Sequence, residues 1–75
     1  DYRLAVDLPA DIKAEALALG MDEGMLQDLQ KVLSLDPRPA YQNDPDRVYS
    51  FDYGEYTVRF KADDGKITVT EITER

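Results

Sequence analysis

Residues 48–60 read Val-Tyr-Ser-Phe-Asp-Tyr-Gly-Glu-Tyr-Thr-Val-Arg-Phe, and this stretch decides the fold. Large apolar and polar side chains alternate on both sides of Gly54, a period of two that is typical of strands with one buried face. Glycine at residue 54 marks the turn between the two strands. A second turn at residues 63–65, Asp-Asp-Gly, leads into an Ile-, Val- and Thr-rich strand over residues 66–73. The sequence therefore predicts a meander of three strands.

The residues before the meander predict one more strand and two helices. Residues 2–8 alternate with a period of two, as a half-buried strand does. Residues 10–19 carry apolar side chains at helical spacing, and Gly20 follows in the position of a left-handed cap. A second helix is expected to begin after Asp22, whose carboxylate can accept hydrogen bonds from first-turn amides, and to end before the Asp-Pro pair at residues 36–37.

The predicted element order is β-α-α-β-β-β. This order gives an α+β fold in which a helix hairpin packs on one face of a small, mainly antiparallel, twisted sheet. Residues 36–46 hold three of the four prolines and are interpreted as a connector too short to separate domains. Residues 1–75 are therefore predicted to form a single domain, small enough that nearly every apolar side chain is needed in the core.

The aromatic side chains have two interpretations. The first places them in the core under the helices, and the second makes them a platform on which nucleic-acid bases stack. A chain of this size has few other large apolar residues, so the core is favoured. The residues concerned are Tyr49, Phe51, Tyr53, Tyr56 and Phe60.

Composition excludes several classes of site. The chain has no cysteine and no histidine, so disulfides, the usual zinc sites and histidine-based catalysis are excluded, and no cofactor or metal is predicted. The formal charge of −7 argues against indiscriminate attraction to nucleic acid or anionic lipid. Residues 1–36 have three basic and eight acidic side chains, and residues 37–75 have six and eight. A basic surface is therefore expected only in residues 37–75, which contain the predicted meander.

The chain is predicted to be cytoplasmic and to have no membrane partner. No apolar run approaches the length of a membrane span, and no signal segment is visible. The chain begins with Asp1 rather than Met, as a piece of a longer protein would.

The order and spacing of these segments resemble the RelE/ParE superfamily of bacterial toxin-antitoxin toxins. The resemblance covers nearly the whole chain, and it rests on Leu-Ser-Leu-Asp-Pro-Arg-Pro at residues 33–39 and on Gly-Glu-Tyr-Thr-Val at residues 54–58. It implies a RelE-like fold, a single RelE/ParE-like domain over residues 1–75, and inhibition of translation by ribosome-dependent mRNA cleavage. The implied enzyme is a metal-independent endoribonuclease, and the implied partners are an antitoxin, the ribosome and mRNA.

Basic side chains are the candidate site residues under this resemblance. Cleavage of RNA without a metal needs fixed positive charge on the developing oxyanions. Arg59 and Lys61 share a strand face by parity, and a hairpin closed about Gly54 would bring Arg47 beside them. The candidate catalytic residues are Arg47, Arg59, Lys61 and Arg75, and the candidate RNA- or partner-binding residues are Arg38 and Tyr53. The alternative is that these charges are solvated and only balance neighbouring acids.

Two other functions remain open. Thr57 stands where the ribonuclease branch has an arginine, and a ParE-like inhibitor that poisons DNA gyrase through contacts would not need that arginine. The other alternative is a non-toxic, acidic protein-binding module on the same fold, with an acidity suited to a basic partner.

Overall fold

The computed structural model describes residues 3–38 and 44–75. Two predictions fall partly outside this range, namely the start of the first strand at Tyr2 and residues 39–43 of the connector. The elements follow in the predicted order: β1 (Ala5–Asp7), α1 (Ala10–Ala18), α2 (Glu23–Ser34), β2 (Tyr49–Tyr53), β3 (Tyr56–Asp63) and β4 (Lys66–Glu74).

The four strands form one mixed sheet in the order β1-β4-β3-β2. β2 pairs with β3 and β3 with β4 in antiparallel fashion, whereas β1 pairs in parallel with β4. The parallel pairing is possible because both helices lie in the long connection that returns the chain to the sheet. The predicted α+β class, with two helices on a mainly antiparallel sheet, is confirmed.

Both helices have the ends that the sequence predicts. Gly20 ends α1 at a φ of +106°, and the Met21 amide donates to the Ala16 carbonyl, which together form a left-handed helix cap. Asp22 begins α2 by accepting a hydrogen bond from the Met25 amide at 2.8 Å. In the part of the chain that the structure describes, neither helix is long and apolar enough to cross a membrane.

The core lies between the helices and one face of the sheet. Phe60, on β3, is 1% exposed, and its ring stacks on that of Tyr49 with centroids 5.6 Å apart. Tyr56 is also buried, and Phe51 and Tyr53 are partly buried against the same core. The prediction that the aromatic residues face the core is confirmed, so the helices cover the face that a base-stacking platform would need to expose.

A β-bulge keeps the pattern of buried residues intact along β4. Arg59 pairs with Glu71, but the next residue, Phe60, pairs with Val69, so Thr70 is an extra residue. The bulge lets both Val69 and Ile72 face the core although they are three positions apart. The polar side chains then fall on the uncovered side of the sheet. We call this side the open face, and it comprises Asp7, Ser50, Asp52, Thr57, Arg59, Lys61, Asp63, Lys66, Thr68, Glu71 and Thr73.

Candidate functional site

Arg59 and Lys61 lie where parity predicts, two residues apart on the open face. Arg59 is held by Glu71 on the neighbouring strand, with Nη1 at 3.0 Å from Oε1. Lys61 is exposed and forms no ion pair with any residue that the structure describes. Arg59 therefore has a carboxylate partner, and Lys61 is the cation of this pair that remains available to a ligand.

Arg75 lies at the opposite end of the open face from Lys61. Its guanidinium donates to the Gly54 carbonyl at 3.1 Å and lies 3.7 Å from a carboxylate oxygen of Asp52. Thr57 donates to the same carboxylate at 3.3 Å. These contacts fix the end of β4 against the turn between β2 and β3, and they pair Arg75 with an acid.

Arg47 does not join Arg59 on the open face. Its guanidinium lies over the ring of Tyr49, 5.5 Å from the centroid, and Tyr49 belongs to the covered face. Arg47 precedes β2, and its contact with the Tyr49 ring places its guanidinium on the covered side of the sheet. The predicted cluster of four catalytic cations is therefore divided between the two sides of the sheet.

Arg38 forms a bidentate ion pair with Asp36. Its Nε and Nη2 each donate to one carboxylate oxygen at 2.7 Å. These hydrogen bonds hold the pKa of Asp36 below its ordinary value and raise the pKa of Arg38. Asp36 adopts a left-handed φ of +60°, uncommon for a residue other than glycine, which turns its carboxylate back toward Arg38. The pair is therefore formed before any ligand arrives.

Arg38 and Arg47 meet at Tyr49. Arg47 covers the Tyr49 ring, and Arg38, whose pKa is raised mainly by its hydrogen bond to Asp36 and least by Tyr49, lies near the same phenol. The phenolic oxygen is buried and has no hydrogen-bond partner among the described residues. We call Asp36, Arg38, Arg47 and Tyr49 the Tyr49 corner. Sequence reasoning missed the roles of Asp36 and Tyr49 here.

Lys61 lies at the same end of the sheet as this corner. Phe60 pairs directly with Tyr49, and Lys61 is the next residue along β3. Three of the predicted site residues are thus near one end of the β2–β3 pair, namely Arg38, Arg47 and Lys61. The other two cations, Arg59 and Arg75, are paired with acids further along the sheet.

Tyr53 has a structural partner of its own. Its hydroxyl lies 2.7 Å from a carboxylate oxygen of Asp28 and 3.2 Å from the Met25 carbonyl, which ties β2 to α2. Burial, with the nearby carboxylate of Asp28, raises the pKa of Tyr53 to about 12. A phenol with this pKa stays protonated near neutral pH and is a poor general base.

The charged residues of the open face balance one another. Four basic residues there, Arg59, Lys61, Lys66 and Arg75, face four acidic ones, Asp7, Asp52, Asp63 and Glu71. The formal charge of −7 is therefore carried elsewhere in the chain. In the described ranges, no group of three or more acidic residues is placed to hold a metal ion.

A family model described as the TrmO C-terminal domain matches residues 1–75. The chain belongs to this family. No curated protein and no solved structure matches it.

Membership of the TrmO C-terminal domain family corrects the expectations drawn from the RelE/ParE resemblance. The chain is not a RelE/ParE toxin, and the predictions of toxin function, ribosome-dependent mRNA cleavage as an endoribonuclease, and inhibition of translation are wrong. The ParE-like alternative of gyrase inhibition depended on the same resemblance and is withdrawn with it, and so is the RelE-like fold assumed for the acidic protein-binding module. The resemblance misled because any helix hairpin packed on a meander needs a helix stop, a connector and two tight turns in this order.

Proposed function

We propose that this TrmO C-terminal domain is a non-catalytic domain that contacts RNA within a tRNA-modification protein. The match of a tRNA methyltransferase-associated family to residues 1–75 carries the proposal. The side chains support contact rather than chemistry, because the chain has neither histidine nor cysteine and two of its predicted catalytic cations are paired with acids.

The contact surface in this proposal is the Tyr49 corner together with Lys61. Arg47 is exposed, and its guanidinium is spread over an aromatic ring, so part of its flexibility is already lost before binding. Lys61 supplies a second exposed cation at the same end of the sheet but on its open face, so an RNA backbone that contacts both would pass around the edge strand β2. Arginine and lysine side chains in this arrangement can bind two phosphates of an RNA backbone.

The acids of α1 do not prevent this contact. α1 packs on β4, and β4 lies two strands away from β2, a separation of about 10 Å in a sheet. At physiological ionic strength, charges more than about 8 Å apart through solvent are largely screened. The acids of α1 therefore weaken RNA binding at the Tyr49 corner without abolishing it, and they disfavour contact through the helix layer.

Binding to an unmodified tRNA transcript tests the proposal. We expect the Arg47→Ala/Lys61→Ala double variant to bind roughly tenfold more weakly than the unaltered chain, because two phosphate contacts are lost. The slope of log affinity against log salt should fall by about 1 to 2. Fluorescence anisotropy with labelled tRNA at several salt concentrations measures both quantities.

The matched control is Lys13→Ala/Lys31→Ala, which removes the same charge from the helix layer. Lys13 lies on α1 beside Glu23, and Lys31 is in the last turn of α2. This control should bind tRNA within about twofold of the unaltered chain. Equal losses in the two double variants would show that only net charge matters and would refute a specific surface at the Tyr49 corner.

A further inference from the structure

A groove with an acidic rim runs along the C-terminal half of α1 and the end of β4, and its part between these two elements has an apolar floor. It consists of two adjoining hollows of about 410 and 400 Å³, and Leu19 and Glu74 line both of them. None of the residues proposed above to contact RNA lines either hollow. The groove is therefore a separate surface, which we call the α1–β4 groove.

The floor of the groove is apolar and already shaped. Ile72 and Tyr56 lie beneath it with 2% and 8% of their surfaces exposed, and Leu19 is half-buried beside them. Ala18 on the rim contributes only a methyl group, which leaves room above the floor. Such a floor can take one aliphatic side chain partly out of water.

The C-terminal end of α1 is held rigidly against this floor. The Tyr56 hydroxyl donates to the Leu19 carbonyl at 3.3 Å, and a Cβ at Gly20 would lie 3.4 Å from that hydroxyl. Gly20 adopts a φ of +106°, so glycine is favoured there by the backbone rather than by the space. A ligand would thus find the groove preformed.

The rim of the groove is negative and not neutralised internally. The carboxylates of Glu15, Glu55 and Glu74 form no hydrogen bond or ion pair with any described residue. The C-terminus of α1 adds the negative end of the helix dipole, and its last turn contains no basic residue. The basic side chain in the described wall, Arg75, is already bonded to the Gly54 carbonyl and lies beside an acid of the open face.

We propose that the α1–β4 groove binds a basic segment of a partner protein that carries an aliphatic anchor. The anchor fills the floor over Ile72, and flanking Lys or Arg side chains pair with Glu15, Glu55 and Glu74. Charge complementarity selects this occupant, because an RNA phosphate or a second copy of this acidic chain would be repelled by the same rim. This surface goes beyond the proposed RNA contact and shares no residue with it.

The test uses the 75-residue chain and a short labelled peptide with two leucines set among lysines. We expect binding with a dissociation constant in the micromolar range by fluorescence anisotropy. Two control peptides, one with serine in place of leucine and one with glutamate in place of lysine, should each bind at least about tenfold more weakly. Binding should also weaken between about 50 and 300 mM salt, since ion pairs at an exposed rim are screened.

Variants of the chain locate the binding. Ala18→Lys places a positive charge at the rim, where it would repel the lysines of the peptide. This variant should reduce the affinity for the peptide about tenfold or more. Glu15→Gln/Glu74→Gln should reduce it about threefold to tenfold. The matched control is Asp11→Asn/Asp46→Asn, which changes the net charge equally at exposed positions outside the groove and should stay within about twofold.

Several outcomes would overturn the proposal. Undetectable binding of the leucine-lysine peptide would do so, as would equal binding of the serine peptide, since the floor would then play no part. Equal losses of peptide affinity in Glu15→Gln/Glu74→Gln and in Asp11→Asn/Asp46→Asn would show that only the net charge of the chain matters. Self-association of the unaltered chain in sedimentation equilibrium, abolished by Ala18→Lys, would identify a second copy as the occupant instead.

Discussion

On the covered face of the sheet, Phe60 is 1% exposed and stacks on Tyr49, whereas on the open face Arg59 keeps 41% of its side chain in solvent while it pairs with Glu71. Burial of an aromatic ring removes a large apolar area from water and stabilises the fold. An exposed ion pair contributes little, because water solvates both charges well in the unfolded chain. Stability therefore depends mainly on the covered face, and we expect the charges of the open face to change with little effect on folding.

Two single-residue deletions in β4 test the difference between the covered and open faces with the largest expected effect. Deletion of Thr68 would bring Ile67 next to Val69, so the two side chains could not both face the core. We expect this variant to lose on the order of 3 kcal/mol or more of stability, enough to unfold much of a small domain. Urea denaturation followed by circular dichroism measures the loss.

Deletion of Thr70 is the matched control, because it removes the same residue type from the same strand. Thr70 is the extra residue of the bulge, so its deletion restores strict alternation and leaves Val69 and Ile72 facing the core. The expected loss is below about 1 kcal/mol. Similar losses in the two deletion variants would contradict the position of the bulge.

Tyr53→Phe tests the hydrogen bond between β2 and α2, and we expect an intermediate effect on stability. Loss of the hydrogen bond to the Asp28 carboxylate should destabilise the fold by about 1 kcal/mol near neutral pH. The pKa of Tyr53 is about 12 in the fold, against about 10 in an unfolded chain. The phenol therefore makes its full contribution to the free energy of unfolding below about pH 10. This contribution is lost as the pH rises toward about 12.

The measurement is the difference in unfolding free energy between the unaltered chain and Tyr53→Phe at several alkaline pH values. We expect the difference to shrink over this window, since only the unaltered chain has a phenol at residue 53 to titrate. Parallel curves for the two proteins would mean that Asp28 does not stabilise the protonated phenol.

Arg59→Ala should have the smallest effect. Both partners of its ion pair are about half exposed, so we expect a loss below about 0.5 kcal/mol that diminishes with added salt. Chemical denaturation at low and high salt measures it, with Glu71→Ala as the companion variant. A loss above about 2 kcal/mol in either variant would show that the open face also supports the fold.

Local chemistry made much of the fold predictable. Gly20 and Asp22 end and begin the helices through contacts within a few residues, which the sequence displays directly. The alternation around Tyr49 and Phe60 likewise predicts which side chains face the core. The parallel pairing of β1 and the bulge at Thr70 were not predictable, because the Ile-, Val- and Thr-rich sequence of β4 suits several registers equally.

The candidate site was predictable only in part. Parity correctly placed Arg59 and Lys61 on one face, whereas Arg47 precedes β2, where strand parity does not apply, and its place on the covered side follows from its contact with Tyr49. The ion pair between Asp36 and Arg38 forms with a left-handed backbone at Asp36, which aspartate adopts more often than most residues but which the residue type alone does not establish. The family could not be inferred from the order of elements, since that order reflects the architecture rather than the activity.

The parallel strand β1 has a consequence for the kinetics of folding. Ala5 pairs with Lys66, so this strand joins residues far apart in the sequence, whereas β2, β3 and β4 are linked by tight turns. Closing such a long loop costs more chain entropy, and contacts of this kind tend to slow folding. We expect the hairpins of the meander to form first and β1 to join an already assembled edge of the sheet, as a late step that the other three strands do not require.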